Sequence, residues 1–192
     1  GSGGCVYLFP NSAYAGLLEN AAIEMDIDDA LLFAGAKICS ETELARLGWG
    51  DPAFGDFDGD GTLDLAIGAP GADLVAVYLD AGSLSGALVM EQTADTVLLS
   101  PGASGRFGYA LASGDMNGDG AADLAVGAPD IGDYVDMLYE ADGIQTVGAG
   151  TDGGSVYLYS GPTLSLGGER ADSDGSFTSE EPELFGMNLQ LE

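Results

Sequence analysis

The sequence predicts an all-β fold made of radially repeated sheets, each of four short antiparallel strands. Three observations carry that prediction. An acidic loop, Asp56-Phe57-Asp58-Gly59-Asp60-Gly61-Thr62-Leu63-Asp64, runs directly into Leu65-Ala66-Ile67-Gly68-Ala69-Pro70. The same arrangement returns 59 residues later, as Asp115-Met116-Asn117-Gly118-Asp119-Gly120-Ala121-Ala122-Asp123 followed by Leu124-Ala125-Val126-Gly127-Ala128-Pro129. Around each copy lie four short apolar segments, and four short strands per unit at a period of roughly 60–80 residues is the mark of radial sheet repeats. One acidic turn could arise by chance. Two in register, each feeding the same strand motif, are a repeat.

Taken in order, Gly4-Cys5-Val6-Tyr7-Leu8-Phe9-Pro10 reads as a short strand that stops at a proline. It matches Gly154–Ser160 and, more loosely, Val75–Asp80, so the chain opens midway through a unit. Residues 11–29 are a polar, alanine-rich connector with a short helix expected over Ala13–Met25. Ala30-Leu31-Leu32-Phe33 resembles Thr96-Val97-Leu98-Leu99 and marks a recurring outer strand, after which 34–46 reads as an insertion. Leu47-Gly48-Trp49, Phe107-Gly108-Tyr109 and Phe185-Gly186-Met187 each open a unit with an aromatic-Gly strand. The units are therefore a partial one with its connector at 1–46, complete ones at 47–104 and 105–180, and an opening strand at 181–192. The second complete unit also carries an inserted acidic segment, 130–152. Trp49, Tyr109 and the Val-Tyr-Leu residues are expected in the core between sheets.

The composition narrows the function. Of 192 residues, 32 are Asp or Glu and 4 are Lys or Arg, a formal net charge of −28. Nucleic acid is excluded as a partner, because its binding rests on basic side chains that release counterions. No apolar run reaches the ~18 residues of a membrane span. There is no histidine, which rules out His-based triads and imidazole metal sites. No Gly-x-Ser-x-Gly elbow is present, and no carboxylate pair stands out beyond the acidic loops, so the chain reads as non-enzymatic. Gly1-Ser2-Gly3-Gly4 is no signal peptide, and the chain reads as a mature or excised piece. Cys5 and Cys39 are equally consistent with one disulfide in an oxidising compartment and with two buried thiols.

The loops carry the chemistry. Calcium takes six to eight oxygen ligands at about 2.3–2.6 Å, and side chains at alternate positions of a tight loop can converge on one point. Glycine at position 6 permits the sharp turn. A calcium-binding helix–loop–helix needs glutamate at position 12, where Ile67 and Val126 stand here inside apolar strands. Magnesium keeps its waters and is rarely caged by a protein loop. Asp172-Ser173-Asp174-Gly175-Ser176 holds half a ligand set and reads as an ordinary turn.

Phe107-Gly108, then Asp-x-Asn-x-Asp-Gly-x-x-Asp, then Gly127-Ala128-Pro129 together resemble the FG-GAP repeat of integrin α-subunit propellers and their microbial relatives. The first copy is slightly degraded, with Leu47 in place of the phenylalanine. The resemblance implies β-propeller blades, about two complete with partial ones on either side, each with a Ca²⁺ loop between its first two strands. It implies one site from Asp56, Asp58, Asp60, Asp64 and the Thr62 carbonyl. It implies a second from Asp115, Asn117, Asp119, Asp123 and the Ala121 carbonyl. Such propellers usually have about seven blades, so the chain reads as a segment of a longer protein, with an open arc or a several-chain assembly as alternatives. The implied role is an extracellular or cell-surface scaffold for adhesion or protein–protein recognition, meeting a protein or glycan through loops such as 34–46 and 130–152. Two alternatives stand beside it: a structural subunit of an extracellular filament or surface assembly, and a non-catalytic module of a larger secreted enzyme.

Overall fold

The computed structural model of the chain describes residues 3–10, 34–102, 105–129, 154–164, 167–170 and 172–178. The expected helix over 13–25, the outer strand at 30–33, the 130–152 insertion and the opening strand at 181–192 lie outside the described residues.

Twelve strands among the described residues form three sheets. β1 (Cys5–Leu8), β2 (Ala36–Cys39) and β6 (Gly86–Val89) make the first, in the order β1-β2-β6. The second contains β3 (Ala53–Gly55), β4 (Asp64–Ala69), β5 (Leu74–Tyr78), β7 (Thr96–Leu99) and β11 (Gly168–Arg170), in the order β11-β7-β5-β4-β3. The third contains β8 (Ala110–Gly114), β9 (Asp123–Ala128), β10 (Ser155–Tyr159) and β12 (Gly175–Thr178), in the order β12-β10-β9-β8. Within the second and third sheets four strands follow one another as an antiparallel meander. These are the two complete blades.

β4 and β9 are buried along their whole length, Asp-Leu-Ala-Ile-Gly-Ala and Asp-Leu-Ala-Val-Gly-Ala, because each is a central strand covered on both faces. Successive side chains of a strand point to opposite faces, and the two cores divide the residues accordingly. Val75 and Val77 of β5 join Phe57 and Leu98 against Leu111, Leu124 and Tyr159 of the third sheet and Phe107 just ahead of it. Ala76 and Tyr78 join Leu65, Ile67 and Met90 against Ile38 and Ala45 of the first unit and Leu47 just after it. The Phe107 ring meets Tyr157 and Tyr159 edge-on, at 5.6 and 6.2 Å between centroids.

The close stacking explains the two glycine motifs. A Cβ on Gly68 would fall 1.9 Å from the Gly108 carbonyl oxygen, so the Gly-Ala-Pro strand of one blade touches the aromatic-Gly turn of the next. Gly108 itself sits at φ +87°, and its N–H donates to the Gly127 carbonyl of its own blade at 3.0 Å. A side chain at either glycine would hold the sheets apart.

Several expectations are corrected. The aromatic-Gly residues 47–49 and 107–108 form turns ahead of β3 and β8, not strands, since Arg46, Gly48, Arg106 and Gly108 all have positive φ. Residues 34–46 are not simply an insertion: Ala36–Cys39 is β2, paired antiparallel with β1. The Val-Tyr-Leu triplets of the two complete blades are not equivalent either. Gly68 faces Val75 and Gly127 faces Val156, so Val156 takes the place of Val75 and Tyr159 that of Tyr78. A two-residue slip keeps every side chain on its face, so the hydrophobic pattern does not register it. Trp49 is exposed rather than core, with the Arg46 guanidinium 5.4 Å from its ring centroid. Cys5 and Cys39 are directly paired across β1 and β2 and joined as a disulfide, which resolves the alternative left open by the sequence.

The blades also exchange strands. The connection between the third and fourth strands of each blade sends a short strand back to the outer strand of the blade before it. β6 pairs parallel with β2, and β11 pairs parallel with β7. At the first of these junctions Glu91, just after β6 on the single-turn helix α1 (Met90–Thr93), binds the chain leaving β2. Its carboxylate accepts the Ser40 and Thr42 hydroxyls and the N–H groups of Glu41 and Thr42. Partial desolvation pushes the Glu91 carboxyl up, but the hydrogen bonds, led by Ser40, outweigh it and bring it down to about 2. No helix among the described residues is long and apolar enough to cross a membrane.

Two outcomes follow. Gly68→Ala should cost about 1–3 kcal/mol by overpacking, while Gly82→Ala, with only a side-chain oxygen 3.5 Å away, should stay within about 0.5 kcal/mol. Urea midpoints of the two variants check this. Glu91 has a folded value below its ordinary 4.5, so its contribution is full above that pH and disappears as pH falls toward 2. Because the group is exposed, the stability gap between parent and Glu91→Gln should be only about 1 kcal/mol at pH 7, closing by pH 2. A gap that stays constant with pH contradicts the assignment.

Candidate metal centre

Each acidic loop joins the inner strand of a blade to its buried second strand: 56–64 lies between β3 and β4, and 115–123 between β8 and β9. Four glycines at positions 4 and 6 (Gly59, Gly61, Gly118 and Gly120) have positive φ, which turns the backbone tightly enough to bring alternate side chains inward. Asx-type bonds shape both turns. Asp58 Oδ1 accepts the Asp60 N–H at 3.1 Å, and Asn117 Oδ1 accepts the Asp119 N–H at 2.8 Å. Asp56 Oδ2 takes the Gly61 N–H at 2.9 Å, as Asp115 Oδ2 takes that of Gly120 at 3.0 Å.

Position 9 does more than a surface ligand. Asp64 and Asp123 are buried at the start of the second strand, and each holds three pieces of chain together. Asp64 Oδ2 accepts the Phe57 N–H at 2.7 Å, and its Oδ1 accepts the Asp80 N–H, just past β5, at 2.8 Å. Asp123 repeats this with Met116 at 2.9 Å and Gly161, just past β10, at 3.0 Å. Desolvation raises the Asp64 carboxyl above its ordinary range; the Asp80 and Phe57 N–H groups pull it back, and Asp58 and Asp56 add to the rise.

In the first loop one oxygen from each of Asp56, Asp58 and Asp64 lies within 4.8 Å of the others. Asp56 Oδ1 is buried there without a hydrogen-bond partner. A buried carboxylate oxygen left unpaired is costly, and its position among two further carboxylates fits a hard cation. Asp60 stands outside this group: its Oδ1 accepts both the N–H and the hydroxyl of Thr62, at 2.7 and 2.6 Å.

The second loop is arranged differently. Among the described residues, only the first loop gathers three carboxylates so closely. Where it has a third carboxylate, the second has Asn117, whose Nδ2 donates to Asp119 Oδ2 at 3.0 Å and to Asp123 Oδ1 at 3.4 Å. An amide donor there satisfies the acids internally, whereas Asp58 can only repel them. Asp119 Oδ1 also accepts the Ala121 N–H at 2.9 Å. The loops differ again at position 2, where Phe57 is fully buried in the core between blades and Met116 is 40% exposed.

One functional element escaped sequence reading. Asp95 Oδ2 accepts the Leu79 N–H and Asp174 Oδ2 accepts the Ser160 N–H, both at 2.8 Å, just before the fourth strand of each blade. Asp174 thus ties the strands together, and the turn expected at 172–176 is corrected in part, since Gly175 and Ser176 already belong to β12. The signal available was an aspartate directly preceding each outer strand.

The FG-GAP repeat family matches residues 48–85 and 107–159. Phosphatidylinositol-glycan-specific phospholipase D of Rattus norvegicus is 40% identical over 127 residues, covering 61% of this chain and 13% of that protein. Integrin alpha-PS2 of Drosophila melanogaster is 33% identical over 137 residues, covering 69% of this chain and 8% of that protein. Integrin alpha-PS5 of the same fly is 42% identical over 89 residues, 44% of this chain and 9% of that protein. The chain thus spans only a small part of the length of these relatives.

Asp64→Ala leaves the buried Phe57 N–H and the part-buried Asp80 N–H without acceptors. With chelator present, so that metal plays no part, it should cost about 1–3 kcal/mol, chiefly from the one buried donor left unsatisfied. Asp60→Ala, at an exposed position, should cost less than about 1 kcal/mol. Equal losses in denaturant titrations would refute the hub role of Asp64.

Proposed function

We propose that this chain, an FG-GAP repeat protein, is a calcium-stabilised propeller scaffold that presents a recognition surface outside the cell. The observation that carries the reading is the first loop: three converging carboxylates, one with a buried oxygen lacking any hydrogen-bond partner. Asp56, Asp58, Asp60 and Asp64 with the Thr62 carbonyl would hold one ion; Asp115, Asn117, Asp119 and Asp123 with the Ala121 carbonyl would hold another. A bound divalent cation supplies positive charge that offsets the mutual repulsion of the carboxylates. The residues themselves set the structural result, because the position-9 aspartates already tie loop, second strand and third-strand end together. An ordered loop therefore means an ordered blade hairpin. The disulfide between β1 and β2 suits an oxidising compartment.

The scaffold reading follows from the family and from the integrin relatives, and it leaves recognition to exposed loops rather than to the braced hairpins. Residues 41–44, exposed beyond β2, and the inserted segment 130–152 are the candidate contacts for a protein or glycan, with self-assembly of blades or chains as the structural alternative. A second reading, a non-catalytic module of a larger secreted enzyme, is favoured by the 40% identity to a phospholipase D over 127 residues.

Calcium at 100 times its dissociation constant should add about 2.7 kcal/mol per site to stability. Differential scanning calorimetry with calcium and with EDTA reads this directly. Coincident melting curves would rule out the stabilising role, and magnesium at equal concentration should shift the curve less.

A further inference from the structure

The two acidic loops are not separate features on separate blades; one is built against the other. The Ala122 N–H, at position 8 of the second loop, donates to the carbonyl of Asp56, position 1 of the first, at 2.8 Å. A Cβ on Gly55 would fall 2.6 Å from the Ala122 Cβ, and one on Gly59 would fall 3.9 Å from the Ala121 Cβ. Gly161 closes the junction. A Cβ there would lie 2.3 Å from the Ala122 carbonyl oxygen and 2.5 Å from that of Phe57. The Gly161 N–H is itself the donor to Asp123 Oδ1 at 3.0 Å. The contact therefore joins Asp56, a ligand candidate of the first loop, to the segment 121–123, which carries two ligand candidates of the second.

We infer that the two loops bind calcium cooperatively, the first loop on loading organising the ligand edge of the second through the Asp56–Ala122 backbone bond and the Gly161 junction. The inference rests on the calcium reading of both loops. The first loop gains more from a cation, since its carboxylates face one another with an oxygen unpaired. The second holds itself together through the Asn117 amide and must give up those bonds to admit an ion. Fixing Asp56 fixes the acceptor of Ala122, and with it the backbone between Ala121 and Asp123. Ordering completed by the first ion need not be repeated by the second, and this gives positive coupling without a change of fold. Coupling of this kind is reciprocal: whatever the first site does for the second, the second does for the first.

Calorimetric titration of the full chain with calcium alone tests this. Asp58→Ala removes a ligand from the first loop, and Asp119→Ala one from the second; Asp58 lies outside the junction, and Asp119 reaches only its edge, through the Ala121 N–H. Coupling predicts that the product of the two stepwise association constants of the parent exceeds the product of the single-site constants of the variants by at least about fivefold. Equal products would overturn the inference while leaving two calcium sites intact. Uptake of one ion by the parent would overturn it too, and no uptake would overturn the calcium reading with it. A second measurement avoids any dependence on the stability of Asp58→Ala. In Asp119→Ala, calcium can load only the first loop, and hydrogen exchange at the Ala122 amide should slow at least about fivefold on its addition. Unchanged exchange contradicts the coupling. In Gly161→Ala, which forces the Phe57 and Ala122 carbonyls apart and keeps every ligand, the slowing on calcium addition to the Asp119→Ala background should disappear.

Discussion

The blade depends on a buried carboxylate at the start of its second strand. Asp64 and Asp123 have no exposed surface to speak of, yet each accepts backbone N–H groups from its own loop and from the chain beyond the third strand. A carboxylate is an acceptor with two oxygens and several lone-pair directions, so one side chain can close both the loop and the adjoining hairpin end. Burying it without those donors would cost several kcal/mol. With them, the same residue ties three backbone segments and still faces the centre of the loop. The proposed metal site and the blade geometry therefore share one group, and this accounts for the recurrence of the loop sequence and the following strand as a unit.

A second constraint is the thickness of the gap between blades. Sheets stacked face to face need short side chains wherever backbone meets backbone, and Gly71 against Leu44 and Gly68 against Gly108 are the tightest cases. Around the latter contact the filler is large: Phe57, Phe107 and Tyr159 are fully buried between the second and third sheets. The returning strands β6 and β11 bind each blade to its predecessor by parallel ladders, and Glu91 adds a charged clasp at the first junction. Blade contacts are thus made by side-chain packing, by backbone pairing and by loop-to-loop bonds together. The coupling proposed between the acidic loops runs through the last of these.

Much of this was legible in the residues. The repeat with its 59-residue offset, the all-β class, the two complete blades and the loops between first and second strands all follow from motifs that local chemistry requires. Other features had no local signature. β6 (Gly-Ala-Leu-Val) and β11 (Gly-Glu-Arg) are too short and too weakly patterned to declare themselves, and their partners lie 50 and 72 residues away, Ala36 to Gly86 and Thr96 to Gly168. The two-residue slip between Val75 and Val156 was hidden because strand period is two. The aromatic-Gly turns were mistaken for strand because a buried aromatic serves equally well in either.

The sequence by itself determined the acidic side chains of the loops, their spacing and the repeat that carries them, since glycine at a positive φ and carboxylates at alternate positions are local demands. It gave the two loops the same role, since they share positions 1, 4, 5, 6 and 9. Tertiary structure made them different. It gathered Asp56, Asp58 and Asp64 in one, set the Asn117 amide among the acids of the other, and sealed Phe57 beneath a neighbouring blade while leaving Met116 exposed. It also joined Cys5 to Cys39 by pairing β1 with β2. The reason is physical: convergence and burial depend on which surfaces meet in space, and a repeat read one unit at a time carries no record of its neighbour.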